Sequence, residues 1–183
     1  MRKAWLVLPF LLIPAMVAAG GASRRSPSPA SSAAGPDVFL GYSYTRAGEA
    51  SLHGWQLSGS YPLKGALRLV ADLNGHYGSF AQADLGQLSF LAGARRLWTK
   101  GPFLPFAEVL LGGVRTKTSV VLPNGTLSDS DTDWGGALGG GVEYHLASRW
   151  AARAQLDLLL LRAEGSWESD PRLSIGVVYR LGR

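Results

Sequence analysis

The chain of 183 residues contains no cysteine, which excludes a disulfide framework and any site that uses a thiolate as nucleophile or metal ligand. It is also poor in charge, because only 17% of its residues are charged, and no long apolar run follows the first twenty residues. Glycine is abundant instead, with 24 residues. This composition favours short strands over long helices, in a chain long enough for one domain.

Basic residues exceed acidic ones but do not cluster. The formal net charge is +5, and without Arg2 and Lys3 there remain 16 basic residues against 13 acidic ones. Nucleic-acid binding needs basic and aromatic residues on one shared surface, whereas here the excess is spread along the chain. We therefore expect no nucleic-acid partner.

The N-terminus has the pattern of a secretory signal peptide. Arg2 and Lys3 form a short basic start, residues 4–19 are apolar, and small residues continue to Ala22. This apolar stretch is interrupted by two prolines and is short for a membrane-spanning helix, which needs about 20 residues. We expect cleavage after Ala19 or Ala22 rather than a retained anchor.

The segment after the signal is of low complexity. Residues 23–37 are rich in serine, proline and alanine and cannot bury a core, so they predict a disordered linker. The expected organisation is a cleaved signal peptide at 1–22, the linker, and a folded domain at 38–183.

Apolar and polar residues in this domain alternate with a period of two, which is typical of β-strands with two different faces. In residues 66–77, for example, Leu67 and Leu69 share one parity, and Arg68 and Asp72 share the other. The pattern recurs in about eight segments, at 38–46, 51–61, 66–77, 87–98, 103–117, 132–146, 149–163 and 172–181.

The connections between these segments alternate in length. The short ones are 62–65, 99–102 and 147–148, and the others, mostly longer and polar, are 47–50, 78–86, 119–131 and 164–171. Outer-membrane barrels have short turns on the periplasmic side and longer loops on the extracellular side. The sequence therefore predicts an all-β fold, a transmembrane antiparallel up-and-down β-barrel of about eight strands, with both termini in the periplasm.

Aromatic residues lie near the strand ends, on the apolar face. Amphipathic rings concentrate at the two membrane interfaces, so this pattern predicts two aromatic girdles around a transmembrane barrel. The periplasmic girdle would contain Tyr61, Trp98, Phe103, Tyr144, Trp150 and Tyr179, and the outer girdle Tyr44, Trp55, Tyr77, Phe90 and Trp134.

The polar face of the strands would line the interior. An eight-stranded barrel has an interior just wide enough for side chains to fill, and buried charges must pair. We interpret this face as a salt-bridged plug, and a narrow hydrated path for ions is the alternative. The predicted interior cluster is Arg68, Asp72, His76, Arg95, Glu108, Glu143, Arg153 and Asp157, and the same face carries His145, Gln155, Arg172 and Arg180.

The sequence offers little catalytic chemistry. His53 lies near Glu49 and Ser51, the one cluster that could place a base beside a nucleophile. His76 and His145 are expected to point inward. Three scattered histidines without cysteine make a weak metal site. We therefore predict no enzyme activity, no cofactor and no metal.

Several segments carry a resemblance to a known family: Gly41–Tyr44, Leu69–Tyr77, Pro105–Gly113, Gly139–Tyr144 and Arg172–Val178. Together they make the chain resemble the bacterial outer membrane protein β-barrel domain superfamily, which includes OmpA-like, OmpX-like and opacity-type small barrels. The resemblance implies residence in the outer membrane and assembly by the barrel assembly machinery. It carries over no catalytic residues.

The function we predict is that of a non-enzymatic outer-membrane barrel with a structural or surface-interaction (adhesin-like) role. Its partners would be outer-membrane lipid, the barrel assembly machinery, and an extracellular partner that binds the loops at 78–86 and 119–131. Three alternatives stay open: a narrow porin or channel for ions or small solutes, a lipid-modifying outer-membrane enzyme, and a soluble periplasmic lipocalin-like binding barrel.

Overall fold

A computed structural model describes residues 35–47, 50–80, 83–122, 125–163 and 166–181. Within these residues no helix is long and apolar enough to cross a membrane. The strands are β1 (Asp37–Ala47), β2 (Ala50–Pro62), β3 (Leu67–Phe80), β4 (Ala83–Leu97), β5 (Phe103–Leu122), β6 (Gly125–Ala147), β7 (Trp150–Ala163) and β8 (Ser166–Arg180).

Each strand pairs antiparallel with the next, and β1 also pairs with β8. The sheet is therefore a closed barrel, and the predicted eight-stranded up-and-down fold is confirmed. Closure pairs the backbone N–H and C=O groups across strands, which a strand needs in order to cross a hydrocarbon layer. The first strand already includes Asp37, which the sequence pattern assigned to the linker.

The strands are strongly tilted. Following paired residues once around the barrel from Pro62 in β2 leads back to β2 at Leu52, which lies ten residues before Pro62 in the sequence. This stagger requires the strands to lean away from the barrel axis. A row of paired residues therefore climbs steadily as it goes around the barrel.

The two faces of the sheet have opposite chemistry. The largest fully buried side chains include three arginines, Arg95, Arg153 and Arg172, whereas Leu111 and Trp134 are 70% and 79% exposed. A lipocalin-like barrel would keep its apolar face inside and its charged face in water. The observed arrangement is the reverse, which rules out that alternative.

The two ends of the barrel differ. At the end where β1 begins and β8 ends, which we call the turn end, strands are joined by residues 63–66, 98–102 and 148–149. Gly65 and Gly101 adopt positive φ angles of 62° and 60° there, a conformation that glycine reaches without steric cost.

At the opposite end, which we call the hairpin end, the strands are longer than predicted. The expected loops at 78–86, 119–131 and 164–171 are largely strand, except for residues 81–82, 123–124 and 164–165, which lie outside the described residues. Beyond the Gly113–Trp134 pair, β5 and β6 continue through nine more residue pairs, about 30 Å of strand. Polar composition suggested loops here, but ladder pairing outside the membrane does not require an apolar face.

Candidate functional site

The inner wall at the turn end holds a group of paired charges that we call the turn-end cluster: Asp37, Arg68, Glu143, Arg153 and Arg180. Arg68 Nη2 lies 2.9 Å from Asp37 Oδ2, and Arg153 Nη2 lies 2.7 Å from Glu143 Oε1 and 3.6 Å from Asp37 Oδ1. Arg180 Nη2 lies 2.9 Å from the other Glu143 oxygen. Three arginines thus share two carboxylates, all of them buried.

Strand register and aromatic rings position the turn-end cluster. Glu143 pairs with Arg153 across β6 and β7, and Asp37 pairs with Arg180 across β1 and β8. The guanidinium carbon of Arg153 lies 4.7 Å from the ring centroid of Phe39 and 5.2 Å from that of Phe106. These rings attract the cation through their faces and keep water away from the ion pairs.

A second group, the mid-barrel cluster, contains Asp72, Arg95, Glu108, Asp157 and Arg172. Arg95 Nη2 lies 2.6 Å from Glu108 Oε2, while Arg172 Nη2 lies 2.7 Å from Asp157 Oδ2 and its Nη1 lies 3.4 Å from Asp72 Oδ1. These pairs connect β3, β4, β5, β7 and β8 through the centre of the barrel.

Three amides complete the mid-barrel cluster. Gln155 Nε2 donates to Glu108 at 2.7 Å and to Asp157 at 2.8 Å, so it links the two ion pairs. Gln56 and Asn74 donate to the two oxygens of Asp72, at 2.5 and 2.7 Å. Gln155 and Gln56 thus reach Glu108 Oε1 and Asp72 Oδ2, while Asp72 Oδ1 and Asp157 Oδ2 each accept from one amide and from Arg172.

The two clusters together balance in formal charge, with five arginines and five carboxylates. Charges removed from water must be paired and hydrogen-bonded to be tolerated. Side chains from all eight strands meet across the interior, and all of those in the two clusters are buried.

The structure places all eight residues of the predicted interior cluster inside the barrel, where each is buried. Seven of them belong to the two charge clusters. His76 does not, because its Nε2 is hydrogen-bonded to Ser43 at 2.9 Å, and Ser43 is bonded in turn to Ser174. His145 is half-buried and lies against Arg180, with 3.0 Å between Nδ1 and Nη1.

Sequence reasoning missed Asp37 and the apolar part of the interior. Phe39 and Phe106 are buried beside Arg153, and a layer of Val70, Leu91, Leu110, Ala137 and Leu159 packs inside the wall. Parity was the available signal: Val70 lies two residues from both Arg68 and Asp72, and therefore faces the same side.

The predicted girdle residues face outward. Most are exposed, and Tyr44, Trp55 and Tyr179 are half-buried against neighbours on the outer wall. Tyr144 and Trp134 are ten residues apart on β6, about 25 Å along the axis for strands tilted by about 40°. This separation equals the height of the apolar band of outer-membrane barrels, about 25 Å.

The His53 cluster lies on the outer wall near the hairpin end. His53 Nδ1 is hydrogen-bonded to the Tyr42 hydroxyl, and its ring also contacts Tyr44. Ser51 Oγ is bonded to the Tyr44 hydroxyl at 2.9 Å. Among the described residues no hydrogen bond joins Ser51 to His53, and Glu49 lies outside them.

The described part of the chain contains no group of three or more acidic, histidine or cysteine side chains placed to hold a metal ion. Two apolar grooves open on the outer wall, of about 430 and 370 Å³. The first is lined by Leu57, Leu73 and Phe90, and the second by Leu111, Trp134 and Leu138. Both open on the outward-facing, apolar side of the barrel.

Comparisons with known proteins agree with this geometry. The sequence model of the outer membrane protein beta-barrel domain family matches residues 6–180. Neisserial surface protein A is 19% identical, with a TM-score of 0.61, over 80% of this chain and 96% of that protein. Ail, the attachment invasion locus protein of Yersinia pestis, is 16% identical, with a TM-score of 0.58, over 80% and 99%.

The outer membrane enzyme PagL is also similar in structure, with 14% identity and a TM-score of 0.54 over 79% of this chain and 99% of that one. At such low identities the structural similarity shows the fold alone. A search of curated proteins finds no significant match.

Proposed function

Because the chain belongs to the outer membrane protein β-barrel domain family, we propose that it is a non-enzymatic barrel of the outer membrane with a structural or surface-interaction (adhesin-like) role. The observation that supports this proposal is the network of buried ion pairs across the interior. Ion pairs of 2.6–2.9 Å join side chains of several strands in the space through which a channel would have to pass. The outer wall and the hairpin end are then the surfaces left for function.

A narrow channel is the first alternative to test. Wild-type protein in planar bilayers is expected to show no stable single-channel conductance, because the turn-end and mid-barrel clusters block the lumen at two heights. Steady openings whose size changes in Glu108→Gln or Arg153→Gln would contradict the proposal and favour the channel.

A lipid-modifying enzyme is the second alternative. The His53 ring is bonded to Tyr42 and not to Ser51, so the cluster lacks the contact between base and nucleophile that activates a serine. Expression in a Gram-negative host is expected to leave the acyl pattern of lipid A unchanged in mass spectra. A change that disappears in His53→Ala would overturn the non-enzymatic assignment.

The β5–β6 hairpin supports a surface role, because it is the longest extension beyond the outer girdle. Residues 118–129 can be replaced by an Asn-Gly turn after the Lys117–Ser130 pair, which leaves the ladder below intact. We expect cells that display the wild-type barrel to adhere to immobilised ligand, and cells with the short hairpin to adhere less.

Heparin is a reasonable first ligand, because Ail has been crystallised with the heparin analogue sucrose octasulfate. Proteins of the extracellular matrix are the second set of immobilised ligands. Equal adhesion of cells with and without the barrel would contradict the surface role and leave the structural one. A heat-dependent shift of the unboiled band in SDS gels, measured on outer-membrane fractions, checks that both proteins are folded there.

Export and assembly are part of the same proposal. The segment 1–22 would be removed on export, residues 23–37 would link the barrel to the new N-terminus, and the barrel assembly machinery would insert the strands. The mass of protein isolated from outer membranes is expected to correspond to a chain that begins at Gly20 or Ser23. A full-length mass would contradict the cleavage.

A further inference from the structure

The rim at the turn end carries four exposed basic side chains. Lys64, Arg96, Lys100 and Arg149 are all exposed there. The acidic residues at the same end, Asp37 and Glu143, are turned into the interior and buried, so no described residue exposes a carboxylate on this rim. We call these four residues the basic rim.

The basic rim is distributed around the barrel. Lys64 lies in the turn between β2 and β3, Lys100 between β4 and β5, and Arg149 between β6 and β7. Each of the three tight turns therefore supplies one cation, and Arg96 adds a fourth near the end of β4. Among the described residues no ion pair neutralises any of the four.

Two residues of the basic rim contact the aromatic girdle. The guanidinium carbon of Arg96 is 5.7 Å from the ring centroid of Trp98, and Arg149 Nη1 donates to the Tyr179 hydroxyl at 3.5 Å. Since girdle aromatics mark the boundary between acyl chains and headgroups, Arg96 and Arg149 are within reach of lipid phosphates.

The hairpin end provides a contrast within the same chain. Arg46, Arg115 and Lys117 are exposed there, but Asp131 is exposed beside them and Asp133 is half-buried. Charges of both signs therefore meet at the hairpin end, whereas the exposed charge of the turn end is of one sign.

We propose that the basic rim binds the phosphate groups of anionic phospholipids in the membrane leaflet that surrounds the turn end. Long basic side chains rest their apolar stems on the wall and reach the headgroups with their charged ends. Each lysine or arginine near an anionic surface favours binding by about fivefold. Four unneutralised cations around the rim therefore select anionic over zwitterionic lipid.

The test measures lipid preference at the turn end. In a W5F/W55F/W134F/W167F background, Trp98 and Trp150 remain as reporters at that end. Their quenching by brominated phosphatidylglycerol, compared with brominated phosphatidylcholine, gives the relative binding constant of the two lipids. We expect a preference of severalfold for phosphatidylglycerol, which decreases as salt is raised because exposed charges are screened.

Two charge variants decide the outcome. The preference is expected to fall to about one in K64Q/R96Q/K100Q/R149Q and to persist in R46Q/R115Q/K117Q, which removes cations from the hairpin end. The proposal is overturned if the parent shows no preference, if the quadruple variant keeps it, or if the hairpin-end variant loses it equally. Binding of sedimented peptidoglycan through the same four residues, without lipid preference, would overturn it too. The heat-dependent gel shift confirms folding of every variant.

Discussion

Two neighbouring arginines on β4 have opposite environments. Arg95 is 1% exposed, lies 2.6 Å from a Glu108 oxygen and stacks 4.6 Å from the Phe106 ring centroid. Arg96 points to the other face, is exposed, and has the Trp98 ring 5.7 Å from its guanidinium carbon. One step along a strand therefore decides whether the same guanidinium is part of a buried ion pair or of the basic rim. The two arginines should therefore contribute differently to the free energy of unfolding.

Glu108→Ala tests the buried side of this comparison and should have the largest effect. The substitution leaves Arg95 buried without its partner, and an uncompensated buried charge costs about 3–5 kcal/mol of unfolding free energy. Gln155 also loses one of its two carboxylate acceptors. Urea unfolding in phospholipid vesicles, followed by tryptophan fluorescence, measures the change.

A double variant separates the cost of a broken pair from the value of an intact one. Arg95→Met with Glu108→Leu replaces both charges by apolar groups of similar volume, and such replacements are often neutral or stabilising. We expect this variant to recover most of the stability that Glu108→Ala loses. If it is as unstable as Glu108→Ala, the mid-barrel cluster contributes more than mutual neutralisation.

Two glycines extend the comparison of the inner and outer walls from charge to packing. A Cβ atom on inward-facing Gly93 would lie 2.0 Å from the Val109 carbonyl oxygen and 2.8 Å from the Leu110 Cα, so backbone would have to move. A Cβ atom on outward-facing Gly59 would have nothing within 4 Å. Gly93→Ala should cost about 1–3 kcal/mol, and Gly59→Ala should stay within about 0.5 kcal/mol of wild type.

The same unfolding measurement checks this pair of variants. Equal losses in Gly93→Ala and Gly59→Ala would mean that the outer wall is as tightly constrained as the inner one. That result would contradict the expectation that the space around each glycine decides the cost of the added methyl group.

Alternation in the sequence was sufficient to assign faces but not partners. The parity of β4 predicts that Arg95 points inward, yet its contact with Glu108 depends on the register between β4 and β5. The contact of Arg172 with Asp72 spans from β8 to β3 and depends on the stagger of the whole barrel. Contacts of this kind follow from closure of the barrel, which no local sequence pattern specifies.

The strand ends were the least predictable part of the fold. Residues 119–131 read as a polar loop, because only membrane-facing strands need an apolar face, whereas the structure pairs most of them in the β5–β6 ladder. Asp37 was missed for a related reason. It follows a proline-rich segment, although its parity matches that of Phe39 and Ser43, which also face inward.

Arg96→Gln tests the exposed side of the comparison and should have the smallest effect. An exposed cation beside one aromatic ring contributes about 0.5–1 kcal/mol, and solvent screens most of its charge. We therefore expect a loss of at most about 1 kcal/mol in unfolding free energy, in the same vesicle assay as for Glu108→Ala. Arg149→Gln, on another turn of the same rim, is the matched control and should behave alike. A loss in Arg96→Gln as large as that in Glu108→Ala would show that position on the wall does not decide what an arginine contributes to this barrel.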